Sequence, residues 1–203
     1  SSREYLGRHP DALAVKAERR FDRGFTAMTS YTYSKNMDYG VGVFAGESVG
    51  GAGFQNLNNL KEEWSVSSLD QTHRFIVNAV YELPFFKELR GAAAKVLGGW
   101  EVSGIVMVFS GGPLGISSST NNTFSQGGGQ RPNWTGVDPK LDNRNPQRWF
   151  DTSQFVNPPA YTFGNAARTF SGLRSDGTAQ LDISLLKNTR ITEKLNLQFR
   201  SEF

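Results

Sequence analysis

The residues that could carry acid–base, nucleophilic or metal chemistry are few and widely separated in this chain. It has two histidines, His9 and His73, and no cysteine. A metal site needs clustered ligands, and a Ser-His-Asp site needs its serine on a sharp strand-to-helix turn, a context that no serine near Asp70 and His73 has. The sequence therefore predicts no catalytic residue, no metal site and no cofactor. It indicates that His73 is a polar residue at the end of a strand.

Oxygen-bearing side chains cluster in the second half of the chain, as a calcium site would require. They are Asp138, Asp142, Asn143 and Asn145. Their spacing differs from that of an EF-hand loop, so a solvated loop is the favoured interpretation. Glycine runs at 50–51 and 127–129 do not lie between a strand and a helix, which argues against a phosphate-binding loop and favours loop flexibility.

Aromatic residues in the segment 111–178 have two interpretations. They are Trp134, Trp149, Phe150, Phe155 and Tyr161. They could stack on a ligand, or they could form a small apolar core that orders the segment, and the second is favoured. As candidate ligand contacts we name Trp134, Trp149, Phe150 and Tyr161.

Composition excludes several classes of protein. The chain of 203 residues has a net charge of +3, with its lysines and arginines scattered, which gives no basis for binding nucleic acid. It has 22 glycines and 15 phenylalanines but is only 37% hydrophobic, which favours strands and loops over helices. It has no run of roughly 18 apolar residues, so no membrane-spanning helix is expected.

Six segments alternate apolar and polar residues, as strands with two different faces do. They are 12–21, 25–34, 73–83, 100–110, 179–188 and 195–203. The connections are in turn short, long, medium, long and short, so the long ones lie at one end of the predicted sheet. The first is the turn Asp22-Arg23-Gly24, where glycine suits a positive φ. In the long connection 35–70 we expect short helical turns near 57–64, and a further turn or two within 87–97.

One face of the predicted sheet is apolar and has aromatic residues at its ends. Tyr31 and Tyr33 lie at the long-loop end, and Tyr81 and Trp100 at the short-loop end. Charged residues of both signs occupy the other face and are expected to line a wet interior. They are Lys16, Glu18, Arg20, Arg74, Glu82, Glu101, Asp182, Lys194, Arg200 and Glu202.

Two interpretations of this pattern compete: a soluble antiparallel sheet and a transmembrane β-barrel. The strands approach the ~9–11 residues that cross a bilayer when tilted, the loops alternate short and long, and the aromatic ends match interfacial girdles. No amphipathic helix is available to cover a sheet. The predicted fold class is therefore all-β, an antiparallel transmembrane β-barrel with long extracellular loops. Because such barrels have about eight strands or more, residues 1–203 are expected to form part of one.

Several short motifs, in order along the chain, resemble the C-terminal part of the barrel of TonB-dependent outer-membrane receptors of the Oar-like type, which have a carboxypeptidase-regulatory-like domain. They are ALAVKAERRF (12–21), SYTYSK (30–35), DQTHRF (70–75), YELPF (81–85), GGW (98–100), RPN (131–133), WFD (149–151), FGNA (163–166) and LDISL (181–185), followed by Lys187 and Asn188. The chain departs from the family's Gly-Pro-Gly-like turn at 173–177, which reads LRSDG.

The resemblance implies a bacterial outer-membrane location and a barrel of about 22 strands. It implies these partners: outer-membrane lipid, the receptor's own plug domain, a TonB-type coupling protein and an unknown solute bound by the extracellular loops. Neither plug nor closing strands are recognised within 1–203. Energy-coupled uptake without catalysis is the leading hypothesis. An outer-membrane adhesion or surface-structure protein is the alternative, and a soluble β-sandwich binding module is a third.

Overall fold

The computed structural model describes residues 9–22, 24–40, 54–56, 58–84, 97–123, 130–190 and 195–203. These residues form thirteen strands: β1 (His9–Asp22), β2 (Phe25–Asp38), β3 (Ser65–Val66), β4 (His73–Glu82), β5 (Trp100–Phe109), β6 (Pro113–Leu114), β7 (Asn133–Trp134), β8 (Lys140–Asn145), β9 (Arg148–Phe150), β10 (Phe155–Val156), β11 (Phe170–Arg174), β12 (Thr178–Arg190) and β13 (Asn196–Glu202). The glycine runs at 50–51 and 127–129, residue Arg23 and most of the segment 87–97 lie outside the described residues.

The chain divides into two compact units. We call Leu13–Tyr33, Thr72–Ser110 and Gly177–Phe203 the wall unit. The loop unit comprises Ser1–Ala12 and two long connections, of which we call Ser34–Gln71 the first connection and Gly111–Asp176 the second connection.

The six long strands are those that the sequence predicts. They pair in the order β1-β2-β4-β5-β12-β13, each antiparallel to its neighbour where the register is defined. The turn between β1 and β2 contains Gly24 at φ 81°, which confirms the positive φ expected there. Two predicted boundaries were wrong: β1 begins at His9, and β2 continues to Asp38 because its last two residues pair with β3.

The register confirms the two faces of the wall unit, because directly paired residues share a face. One row joins Thr29, Val77, Val106 and Leu181, and it belongs to the apolar face. The next row joins Met28, Asn78, Ile105 and Asp182, and it belongs to the polar face. The polar face therefore carries some apolar side chains of its own.

Most of the charged residues expected on the polar face lie there by register. They are Arg74, Glu82, Glu101, Asp182, Arg200 and Glu202. Lys16 and Glu18 form an ion pair of 3.7 Å, and Arg200 pairs with Glu202. The side chains of Arg20 and Lys194 lie outside the described part of the chain.

Large hydrophobic side chains are exposed all along the apolar face. They include Leu13, Val15, Phe75, Tyr81, Val108, Leu181, Ile183, Leu197 and Phe199. Among the described residues, the buried hydrophobic side chains are Val66, Ala166 and Leu173, and all of them belong to the loop unit. Exposed apolar area on this scale is unfavourable in water, so the apolar face needs a non-aqueous surrounding.

The ends of the apolar face carry aromatic pairs, as predicted. At the long-loop end the Tyr31 hydroxyl lies 2.8 Å from Nδ1 of His73, and the Tyr33 ring lies 5.4 Å from the His73 ring. At the short-loop end Tyr81 packs edge-on against Phe25, with 6.2 Å between ring centroids.

Lys187 is a cation on the apolar face, opposite Trp100 in the register. Its Nζ lies 4.8 Å from the centroid of the Trp100 ring and donates to the Gly98 carbonyl at 2.7 Å. The charged amino group is thus bound near the end of the strand while the aliphatic part of the side chain lies on the apolar face, as in snorkelling lysines.

The loop unit is built from short strands and turns. The pairs β6–β11, β7–β10 and β8–β9 form separate two-stranded sheets, and 3₁₀ turns cover Leu60–Glu63 and Thr152–Gln154. The first turn confirms the helical turn expected near 57–64. The segment 111–178, predicted as a loop, contains most of these strands, which are too short to show a two-residue period. Within the residues that the structure describes, no helix has the length and apolar character that crossing a membrane requires.

Candidate functional site

Three carboxylate–arginine pairs join the two long connections of the loop unit. Every carboxylate comes from the first connection and every arginine from the second. The pairs are Asp38–Arg168, Glu63–Arg131 at 3.0 Å and Asp70–Arg174 at 2.7 Å. Because a buried charge without a partner is strongly unfavourable, these pairs fix one connection against the other.

The Glu63–Arg131 pair is the most deeply buried, with 0% of the Glu63 side chain and 2% of the Arg131 side chain exposed. Oε2 of Glu63 accepts from Nη1 of Arg131 at 3.0 Å, and Oε1 accepts from the Gln55 backbone N–H at 2.9 Å. Burial lowers the pKa of Arg131, whereas the attraction of Glu63 raises it. An arginine remains charged under such opposing effects, so the buried guanidinium stays a cation.

The other two pairs have supporting hydrogen bonds. Arg168 donates through Nη2 to the carboxylate and the carbonyl of Asp38, and through Nε to the Glu63 carbonyl at 3.3 Å. Oδ1 of Asp70 accepts from the Asn36 backbone N–H at 2.7 Å, and Oδ2 accepts from Nη2 of Arg174. These bonds satisfy oxygens that burial removes from water.

Two buried guanidinium nitrogens have no hydrogen-bond partner among the described residues. They are Nε of Arg131 and Nη1 of Arg168. A buried donor left unsatisfied costs about 1–3 kcal/mol, and native structures keep few of them. Arg131 is also one of the residues that line a cavity.

A cavity of about 490 Å³ lies beside Arg131, and we call it the loop cavity. The charged, amide and aromatic residues that line it are Lys61, Glu62, Trp64, Arg131, Trp134, Phe163 and Asn165. Gly164 also lines it, and a Cβ atom there would lie 1.9 Å from the Arg131 carbonyl oxygen. The close approach of the two backbones therefore requires glycine at this position.

Of the four candidate ligand contacts, the structure brings two into one aromatic cluster. Trp134 and Phe155 both pack edge-on against Phe170, at 5.6 Å and 5.4 Å between centroids, and Phe150 packs against Phe155 at 5.7 Å. Three of the five aromatic residues expected in a small apolar core are therefore clustered, together with Phe170.

Trp149 and Tyr161 lie apart from this cluster. Trp149 donates through Nε1 to the Arg174 carbonyl at 2.9 Å and lies under the Arg144 guanidinium at 4.5 Å. Tyr161 is 80% exposed at φ 63°. Trp134 is the one of the four that lines the loop cavity. Ligand contact by these residues stays a prediction.

Two of the four oxygen-bearing residues, Asp138 and Asn145, bond the local backbone. Oδ1 of Asp138 accepts from the Lys140 N–H at 3.0 Å, and Oδ1 of Asn145 accepts from the N–H groups of Gln147 and Arg148 at 3.0 and 2.8 Å. Such bonds are typical of turns. In the described part of the chain, no group of three or more metal-ligating side chains is present.

Sequence reasoning missed most of the buried charges and the cavity. The paired residues are 68, 104 and 130 positions apart, so no local spacing marks them. Arg131 stands in the RPN motif and Asp70 in the DQTHRF motif, but neither motif discloses a partner. Trp64 and Phe163 were not recognised as cavity residues for the same reason.

The wall unit defines a class of protein: a transmembrane β-barrel, whose exposed apolar face meets lipid between two aromatic ends. The family model described as "Outer membrane beta barrel domain" matches residues 4–203, and the chain belongs to that family. Its location is the bacterial outer membrane. Comparison with curated proteins and with solved structures found no significant match. The family membership overturns the hypothesis of a soluble β-sandwich.

Proposed function

We propose that this chain is part of the barrel of a TonB-dependent outer-membrane receptor, which takes up a solute bound by its extracellular loops. The observation that carries the proposal is the loop cavity, held between two connections by three ion pairs whose carboxylates are buried. Preorganised loops bind a ligand without an ordering cost at the moment of binding. The loop unit is therefore suited to recognising a solute.

The barrel context supports transport. The described part of the chain supplies six long strands to one open sheet, whereas outer-membrane barrels have about eight strands or more and the large transporters about 22. Further strands, a plug domain inside the barrel and a TonB-type coupling protein complete the proposed receptor. The polar face, with its mixed charges, would then line the lumen around the plug. No catalytic step is part of this proposal.

The test uses the full-length protein in its own bacterium. Spent growth medium is compared by mass spectrometry for the wild type, a strain without this protein and a strain without the coupling protein. We expect the same compounds to remain in the medium of both mutants, because uptake needs both proteins. Complementation with the wild-type protein should restore their removal.

An adhesion or surface-structure role gives a different result. Loss of this protein would then change attachment to surfaces or cells, while loss of the coupling protein would not. If depletion of every compound is the same in all strains and attachment alone changes, the transport proposal is wrong.

A further inference from the structure

We propose that the loop cavity binds an organic carboxylate that carries a flat ring system. The inference rests on the proposed function for its biological role and deepens it by naming a ligand class. Its chemistry depends only on the residues of the loop unit.

The head group of Arg131 presents an unused edge. Nη1 donates to Oε2 of Glu63 at 3.0 Å and to the Glu62 carbonyl at 3.5 Å. Nε has no partner, and Nη2 has none among the described residues. Nε is closed off from solvent, whereas Nη2 is not among the buried atoms without a partner. Nη2 is therefore the donor left for a ligand, and it can form a charge-assisted bond to one oxygen of a carboxylate.

Three acceptors of the cavity are already occupied, and two of its side-chain donors are free. Oδ1 of Asn165 accepts from the Trp134 N–H at 2.7 Å, and the Gly164 carbonyl accepts from Nε2 of Gln55 at 2.8 Å. Oε1 of Glu62 accepts from Nδ2 of Asn59 at 2.6 Å. Nζ of Lys61 and Nδ2 of Asn165 have no partner in the described part of the chain. A ligand that fits must therefore bring acceptors.

The formal charges at this place cancel, Lys61 and Arg131 against Glu62 and Glu63, so the burial of each charge decides which ligand is favoured. Glu62 is an exposed carboxylate on the cavity rim, where solvent screens it. Arg131 is 2% exposed, so a charge-assisted bond to its Nη2 forms largely away from water. Lys61 adds a second cation to the lining.

Three aromatic rings give the cavity its apolar walls, and neighbours hold two of them. Trp134 packs edge-on against Phe170 at 5.6 Å, and Trp64 lies against Tyr39 at 4.7 Å. Phe163 completes the set. Fixed aromatic rings favour stacking of a flat ligand, and a volume of about 490 Å³ is in the usual range for a small-molecule site.

Calorimetry on the full-length protein in lipid nanodiscs tests the ligand class. The probes are 2-naphthoate and its neutral counterpart 2-naphthalenemethanol, which share the ring system and differ in charge. We expect naphthoate to bind about tenfold more tightly than the alcohol, because only naphthoate forms charge-assisted bonds to Arg131 and Lys61.

Two variants test the site without touching a buried ion pair. Lys61→Gln removes the free cation. Asn165→Asp keeps the oxygen that accepts from Trp134 but replaces the free donor by a negative charge. Each should raise the Kd for naphthoate about tenfold and leave that for the alcohol unchanged. Lys140→Gln, at an exposed lysine that does not line the cavity, is the control and should change neither.

The inference is overturned if naphthoate does not bind, if the alcohol binds equally well, or if both site variants bind naphthoate like the wild type. These results are distinct from failure of the proposed function. Carboxylate-selective binding without coupled uptake would contradict the transporter and leave the site standing. Coupled uptake by a protein whose cavity does not select carboxylates would contradict the inference about the cavity and leave the transporter standing.

Discussion

At the scale of single residues, the Glu63–Arg131 pair shows how a membrane protein can bury charge outside its membrane-spanning part. Glu63→Gln would leave the Arg131 guanidinium buried without its counter-charge. We expect the free energy of unfolding of the loop unit to fall by about 3–5 kcal/mol. Hydrogen exchange of the Arg131 backbone N–H, which donates to Oε1 of Gln55 at 2.8 Å, would measure the loss.

Two further variants show whether the loss comes from the uncompensated charge. Glu62→Gln, at the exposed neighbouring carboxylate, should cost less than about 1 kcal/mol. The double variant Glu63→Met with Arg131→Met should recover most of the stability, since apolar residues often replace a buried pair without loss. A double variant as unstable as Glu63→Gln would contradict this explanation.

Gly164 offers a second residue-scale prediction. Gly164→Ala places a Cβ atom 1.9 Å from the Arg131 carbonyl, so the two backbone segments must separate. We expect a loss of about 1–3 kcal/mol, as in overpacked sites, and faster hydrogen exchange of the Ala166 N–H, which donates to the Pro132 carbonyl at 3.0 Å. Gly172→Ala is the matched control, because no atom lies within 4 Å of its Cβ position.

Because of Asp151, the stability of the loop unit should depend on pH in the acid range. Hydrogen bonds from the Gln154 side chain, then from Ser153, lower the pKa of Asp151 below its usual 3.8. A carboxyl group whose pKa is lower in the folded state stabilises that state above its unfolded pKa, and this contribution is lost as the pH falls through the folded pKa. The effect of Asp151 should therefore be complete at neutral pH and decline as the pH falls below about 4.

A carbon-13 titration of labelled aspartate carboxyl groups tests this directly, with Asp151→Asn to assign the signal. We expect the Asp151 pKa to lie below 3.8 and to rise more in Gln154→Met than in Arg148→Met, because the Gln154 bond is the largest cause and the Arg148 charge the smallest favourable one. An equal rise in both variants would contradict the assigned cause.

At the scale of elements, neighbouring residues of strand β4 face two different environments. Val77 lies on the apolar face between Thr29 and Val106, and Asn78 lies on the polar face. Val77→Arg should cost about 2–4 kcal/mol near the middle of the bilayer and impair membrane assembly. Asn78→Arg should assemble normally, as judged by heat-modifiable migration of the full-length protein on gels. The opposite outcome would reverse the assignment of the faces.

The strands could be predicted because successive side chains of a strand point to opposite faces, so residue types alternate along the sequence. Alternation of apolar and polar residues over about ten positions, as in 25–34 and 195–203, indicates a strand. The lengths of β1 and β2 were less predictable, since the strand ends depend on partners such as β3, whose two residues carry no pattern.

The candidate site was largely hidden from sequence reasoning. Trp134 was recognised as an aromatic contact, but its neighbours in the cavity, Lys61 and Trp64, lie in the other connection, some 70 residues away. Burial of Glu63 and Arg131 depends on this long-range packing, and a charged residue in a polar segment is expected to be solvated. Only the assembled loop unit shows which charges are paired.

At the scale of the whole molecule, the two units are stabilised by different forces. The wall unit exposes apolar side chains that lipid covers, and backbone pairing satisfies its polar groups. The loop unit has few buried apolar side chains and depends on the three ion pairs and on its aromatic cluster. A change in the loop unit should therefore alter the loops without dismantling the sheet.

Arg174→Gln tests this separation. It removes the Arg174 cation from the Asp70 carboxylate, which is 0% exposed, so we expect a loss of about 3 kcal/mol in the loop unit. Hydrogen exchange should accelerate in both connections together, at the Ser67 and Asp70 N–H groups of the first and at the Ser175 N–H of the second. The heat-modifiable migration of the full-length protein should stay as in the wild type.

Arg144→Gln is the matched control, because the Arg144–Asp176 pair is exposed, with 44% and 75% of its side chains accessible. Its cost should stay below about 1 kcal/mol. If Arg174→Gln accelerates exchange in the second connection alone, the ion pairs do not join the two connections into one cooperative unit. If it also abolishes heat-modifiability, the sheet depends on the loop unit and the two are not independent.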